Sequence, residues 1–232
     1  MAWNQGRGIP FGRCEETISV AEWKVCWAPV RRALTAGHCL VYSFGVFESD
    51  PFTSFMASSG CTIYAFDPGR VPPSVPRNVT FHRWGLRTNA RLSLQEEQTY
   101  TSFTYGRAAG EYLRFDEIRA RLGHENSQLT LLKLDCEGCE WLTLAELNLS
   151  AVDQILAELH FSSSLRFSEH VAGEIVPRFD ANLRRHGMAA FHFRHQPGAT
   201  QDQHVPPSLV KAGMRHASCC REVSLLNSGT IR

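Results

Sequence analysis

The sequence predicts an α/β domain whose mostly parallel sheet is covered by helices on both faces. Three observations predict it. Short apolar runs alternate along the chain with longer segments of helical period. Several of those runs stop at a glycine or a carboxylate, as strands do where a ligand-binding loop begins. With 43% hydrophobic and 20% charged residues in 232 positions, the chain can bury one sizeable core and is too poor in charge to stay disordered.

Residues 1–30 read as an N-terminal lead-in segment and 31–232 as a single domain. Residues 40–45 (LVYSFG) form the first buried strand, too short for a helix and ended by Gly45. Asp50 and Pro51 then supply an N-cap and first turn for a helix over residues 50–59, with Phe52, Phe55 and Met56 at helical spacing. Residues 61–66 (CTIYAF) form a strand that ends in the turn Asp67-Pro68-Gly69. After a proline-rich loop, residues 78–84 (NVTFHRW) form a third strand that Gly85 stops. Residues 87–110 lack a period and read as a long excursion. Phe115, Ile118 and Leu122 mark a helix, and residues 129–135 (LTLLKLD) are the most apolar strand in the chain. A helix over 138–147 turns Trp141, Leu144 and Ala145 inward, and a strand over 152–161 carries Glu158 and His160 near its end. Val171, Ile175, Phe179 and Leu183 recur every four residues along a helix interrupted by Pro177. Residues 188–195 and 221–226 close the chain as an added antiparallel hairpin.

Composition narrows the function. Lys plus Arg total 24 against 23 for Asp plus Glu, so the chain lacks the positive field that draws proteins to nucleic acid. No apolar run reaches the length of a membrane span, and residues 1–20 have no signal-peptide pattern. Of eight cysteines, only Cys136 and Cys139 have CxxC spacing. These two read as small buried thiols flanking a turn, not as a redox or zinc pair. Disulfides elsewhere stay open, because sequence cannot choose a pairing, and the compartment and oligomeric state stay open with them.

The chemistry gathers at strand ends. Gly45, Asp67 and the Asp135-Cys136-Glu137 cluster each follow a strand, where open α/β sheets bind ligands. A carboxylate such as Asp67 accepts hydrogen bonds from ribose hydroxyls. Residues 45–50 (GVFESD) lack the GxGxxG that would cradle a pyrophosphate, which favours a nucleoside ligand without phosphates over NAD or FAD. The bland reading of Gly45 is a tight turn alone.

LVYSFG, DPF, YAFDP, HRWGL, LLKLDCEGCEW, ILAELHF, FHFRHQPG and CCREVSLLN occur in an order that resembles the FkbM-type methyltransferases, and most closely the methyltransferase-like protein 24 family. The resemblance spans about residues 20–228, and LKLDCEGCEW carries most of it. It implies a Rossmann-like class I methyltransferase fold, a seven-stranded, mostly parallel sheet with a C-terminal antiparallel strand. It also implies S-adenosyl-L-methionine as cofactor and O-methylation of a hydroxyl-bearing small molecule or glycan. Ser43, Phe44, Gly45, Asp50, Asp67, Pro68, Gly85, Leu86 and Asp135 are then the expected cofactor contacts. Asp135, Glu137 and His160 are the expected catalytic residues, with His160 as general base because its ordinary pKa lies near neutrality. Glu140 and Trp141 are expected to meet the acceptor. The set names no metal ligand, although Asp135, Glu137 and Glu140 could instead hold a divalent cation. Two departures stand out: a single glycine in the first loop, and cysteines at 136 and 139. A non-catalytic binding domain and a metal-dependent nucleotide-sugar glycosyltransferase are the competing readings.

Overall fold

The computed structural model describes residues 10–46, 50–69, 75–87, 110–136, 138–160, 169–195 and 220–230. An antiparallel hairpin of β1 (Thr17–Val20) and β2 (Trp23–Cys26) leads directly into helix α1 (Trp27–Thr35). Then come β3 (Leu40–Phe44), α2 (Pro51–Ser58), β4 (Thr62–Phe66) and β5 (Val79–His82). Two short strands follow, β6 (Trp84–Leu86) and β7 (Glu111–Leu113), and after them α3 (Phe115–Arg121). The second half contains β8 (Leu131–Leu134), α4 (Cys139–Glu146), β9 (Gln154–His160), α5 (Glu169–Arg185), β10 (Met188–His195) and β11 (Cys220–Asn227).

Seven strands form one sheet in the order β10-β11-β9-β8-β3-β4-β5. β3 pairs in parallel with β4 and β8, and β5 and β9 extend the parallel block on either side. β11 runs antiparallel to both β9 and β10. The sheet is therefore Rossmann-like and mostly parallel, as expected. From β3 the chain winds one way through β4 and β5 and then crosses to β8 and β9, so strand order reverses between β3 and β8.

Strand pleating sends alternate residues to opposite faces. Tyr42, Phe44, Leu132, Leu134, Ile155 and Ala157 face a core closed by Ile118 of α3, Trp141 and Leu144 of α4, and Phe179 of α5. Val41, Ile63, Leu131 and Leu156 face a second core closed by Trp23 and Val25 of β2, Val30 of α1, and Phe52 and Met56 of α2. Phe52 and Met56 are fully buried, each contributing about 1.5–3 kcal/mol by area removed from water. Helix α2 starts where expected, because the Asp50 carboxylate accepts the Phe52 N–H at 3.1 Å and Pro51 opens the first turn.

Three expectations need correction. The lead-in segment is largely structured from residue 17, and its boundary at residue 30 falls inside α1. The Gln154 side chain docks the hairpin on β9, accepting the Cys26 N–H at 2.6 Å and donating to the Cys26 carbonyl at 3.2 Å. The third strand stops at His82, and Trp84–Leu86 leaves the sheet to pair in parallel with β7, so Gly85 lies within a strand and does not end one. Cys136 and Cys139 are not thiols. They form a disulfide, as do Cys14 with Cys26 and Cys39 with Cys61. The turn before α4 brings the Cα atoms of Cys136 and Cys139 to 5.5 Å, within bridging range. Among the described residues no helix is long and apolar enough to cross a membrane. Glu137 and nearly all of the 87–110 excursion lie outside the described residues.

Candidate functional site

The carboxyl ends of β3, β4, β8 and β9 lie side by side, because Phe44 registers with both Phe66 and Leu134, and Leu134 with Ala157. Asp67, Gly45, Asp135 and Glu158 thus follow one another across the edge of the sheet.

On the β4 side, Asp67 is 5% exposed, and its Oδ1 accepts the Gly69 N–H at 2.7 Å. That bond fixes the Asp67-Pro68-Gly69 turn and holds the carboxylate at the strand end. Burial first, and then the Asp67 charge, pushes the Tyr112 phenol up to about 12. Tyr112 of β7 is a neighbour of this carboxylate that sequence reasoning missed, since only the β6–β7 pairing brings it there. Gly85 is explained by the same ring, because a Cβ at 85 would come within 2.6 Å of Tyr112 and 3.0 Å of Pro68.

Several expected cofactor contacts have other work. Asp50 caps α2 and accepts the Thr53 hydroxyl at 2.5 Å, with the Ser43 hydroxyl at 3.4 Å. Ser43 is fully buried in that network. Phe44 is 1% exposed and stacks on Phe66 with ring centroids 4.4 Å apart, continuing through Phe66 to His82 and Trp84. Leu86 is a core residue at 4% exposure. The side chains of Ser43, Phe44, Asp50 and Leu86 thus support the strand ends. At Gly45, φ is +78° and a side chain would run into the Asp135 carbonyl, so glycine is needed for β3 and β8 to approach there.

On the β8–β9 side a charged group assembles. Asp135 is partly exposed and pairs through Oδ2 with Lys133 Nζ at 3.4 Å. Lys133 itself is 2% exposed and lies 5.3 Å from the Trp23 ring, so the hairpin holds the lysine that holds the aspartate. His160 is 3% exposed. Its Nδ1 is 3.1 Å from Glu140 Oε1, which also accepts the Cys136 N–H at 2.7 Å. Its Nε2 faces Glu158 Oε2 at 4.0 Å. One ligand-capable atom from each of Asp135, Glu158 and His160 lies within 4.8 Å of the other two. Burial first, then the Asp135 charge, raises the Glu158 carboxyl to about 8, a shift that His160 opposes. A carboxyl raised this way exchanges protons near neutral pH.

The structure brings Asp135, Glu140 and His160 together near the carboxyl ends of β8 and β9. Glu140 is fully buried at the start of α4 and orients His160. Trp141 is 2% exposed, packs on Phe179 and donates its indole N–H to the His160 carbonyl at 2.8 Å. Its side chain thereby supports the end of β9. Glu158 was recognisable only as a strand residue, because its place beside Asp135 depends on the β8–β9 register.

A family model described as a methyltransferase domain matches residues 17–211. The chain is 24% identical over 214 residues to "Probable methyltransferase-like protein 24" of Homo sapiens. It is likewise 24% identical over 217 residues to the Rattus norvegicus protein of the same name. Each comparison covers 89% of this chain and 56% of the relative, so the chain spans little more than half the length of these relatives.

Proposed function

The chain belongs to the methyltransferase-domain family, and from that premise we propose that it uses S-adenosyl-L-methionine to methylate a hydroxyl oxygen on a small molecule or glycan. One observation carries the reading. Gly45, Asp67 and Asp135 end three neighbouring parallel strands at the reversal of strand order, where open α/β sheets bind ligands. The donor chemistry there fits the cofactor: an acidic side chain follows β4, as a ribose diol requires, and no glycine-rich phosphate cradle follows β3.

When bound, the cofactor supplies an electrophilic methyl on a positively charged sulfur. Asp67 would hold the ribose hydroxyls while its turn stays closed through Gly69. Asp135, held by Lys133, places negative charge on the side where the sulfonium would lie. The acceptor hydroxyl must lose a proton, and the Asp135, Glu158 and His160 group receives it. Glu140 keeps the imidazole oriented for that transfer.

Calorimetry with S-adenosylhomocysteine tests the reading. Wild type binds, and Asp67→Ala binds at least about tenfold more weakly, the worth of a charged hydrogen bond. Asp67→Asn, which keeps an oxygen for the Gly69 N–H, gives the same loss with the turn intact. Absence of binding by the folded wild type, or unchanged affinity in both variants, refutes the assignment.

A further inference from the structure

Asp135, Glu158 and His160 have the composition and spacing of a metal centre. Two carboxylates and an imidazole converge with their ligand atoms within 4.8 Å of one another, and His160 Nε2 stands 4.0 Å from Glu158 Oε2, too far for a hydrogen bond. Ligands about one ion at ordinary bond lengths lie roughly 3–4 Å apart, so a shift of about 1 Å closes the group around a cation. Metal-bound histidines typically give their other ring nitrogen to a carboxylate, which fixes the ring and strengthens the ligand. His160 has that partner in Glu140, at 3.1 Å from Nδ1 and fully buried.

Charge points the same way. Among the described residues around this group, three carboxylates, Asp135, Glu140 and Glu158, face one ammonium, Lys133, and one imidazole. Glu222, which registers with Glu158 on β11, is already paired with Arg194 at 3.0 Å. Glu140 Oε2 is buried with no hydrogen-bond partner among the described residues. Burial and the Asp135 charge hold Glu158 toward its neutral form, and a cation bound here would offset both.

We propose that Asp135, Glu158 and His160 bind a divalent cation of the Mn2+ or Zn2+ type at the carboxyl ends of β8 and β9. Mixed oxygen and imidazole ligation suits these ions better than calcium, which takes oxygen ligands. Three protein ligands leave coordination positions open, and a hydroxyl bound there is acidified by the ion. The acceptor's use of that position rests on the methyltransferase reading above. The cation site itself does not.

The test is calorimetric titration of MnCl2 into the chelator-treated, tag-free chain, with S-adenosylhomocysteine titrated separately into the same preparation. The expected result is saturable one-site Mn2+ binding, weakened at least tenfold in Glu158→Gln and about 10–100-fold in Glu140→Gln. Glu111→Gln, at an exposed ion pair elsewhere, leaves it unchanged. Pulsed electron paramagnetic resonance of the wild-type Mn2+ complex shows modulation from an imidazole nitrogen, which needs no variant to fold. No saturable Mn2+ binding by a cooperatively melting chain, undiminished binding in Glu158→Gln, or no nitrogen modulation overturns the proposal. Binding of S-adenosylhomocysteine together with no saturable Mn2+ binding defeats the cation site alone. Mn2+ binding with those signatures but no S-adenosylhomocysteine binding supports the cation site and defeats the methyltransferase reading.

Discussion

Gly45 makes two demands at once, a φ of +78° and room for the Asp135 carbonyl. Alanine there meets left-handed strain and a backbone collision together, so Gly45→Ala is expected to cost about 3 kcal/mol in denaturant unfolding. A cost below 1 kcal/mol would show that β3 and β8 separate easily at this point. The chemistry-bearing residues were legible at this scale because carboxylates and histidine at the ends of apolar runs are conspicuous: Asp67, Asp135 and His160 all stand at strand ends. Their orientation was not. The sequence reading placed Glu140 toward the acceptor, because nothing in the sequence reveals that the Cys136 N–H and His160 Nδ1 draw its carboxylate inward.

Local periodicity located most elements, and where it failed the cause is local too. The β1–β2 hairpin turns through Ala21 at φ +53°, a conformation usually marked by glycine or asparagine, so the turn carried no signal. The third strand was read two residues past its end, because Arg83 separates β5 from β6 without a glycine or proline. Cys39 and Cys61, which immediately precede β3 and the β4 region, are joined across 22 residues of sequence. Closing a loop of that size restricts the unfolded chain, so the double change Cys39→Ser with Cys61→Ser is expected to lower unfolding free energy by about 3 kcal/mol. The denaturant midpoint measures it. An unchanged midpoint would mean that the bridge adds nothing beyond the packing of the paired strands.

Across the molecule, alternation of strands and helices was enough to give the parallel sheet and its two covered faces, while the insertion of β11 between β9 and β10 was not legible, since no local pattern sets strand order. Burial sets a pH response that no single site reveals. His82, His124, His186 and His192 are all held below their ordinary 6.5, first by burial. The unfolded chain therefore takes up these protons first. Their contribution to stability is present above 6.5 and lost as pH falls through the folded values. For His124, which meets the Tyr42 hydroxyl at 2.6 Å, the melting-temperature difference between wild type and His124→Asn should shrink as pH drops below 6.5. A difference that grows toward acid would reverse the sign assigned to this group. The position of β11 also bears on synthesis. Since β10 joins the sheet through it and β9 pairs with it on the side away from β8, a ribosome-bound chain that has not yet released residues 220–227 leaves one edge of β9 and one edge of β10 exposed to any passing segment. Vectorial production thus leaves the edge beside Glu158 and His160 to be completed last.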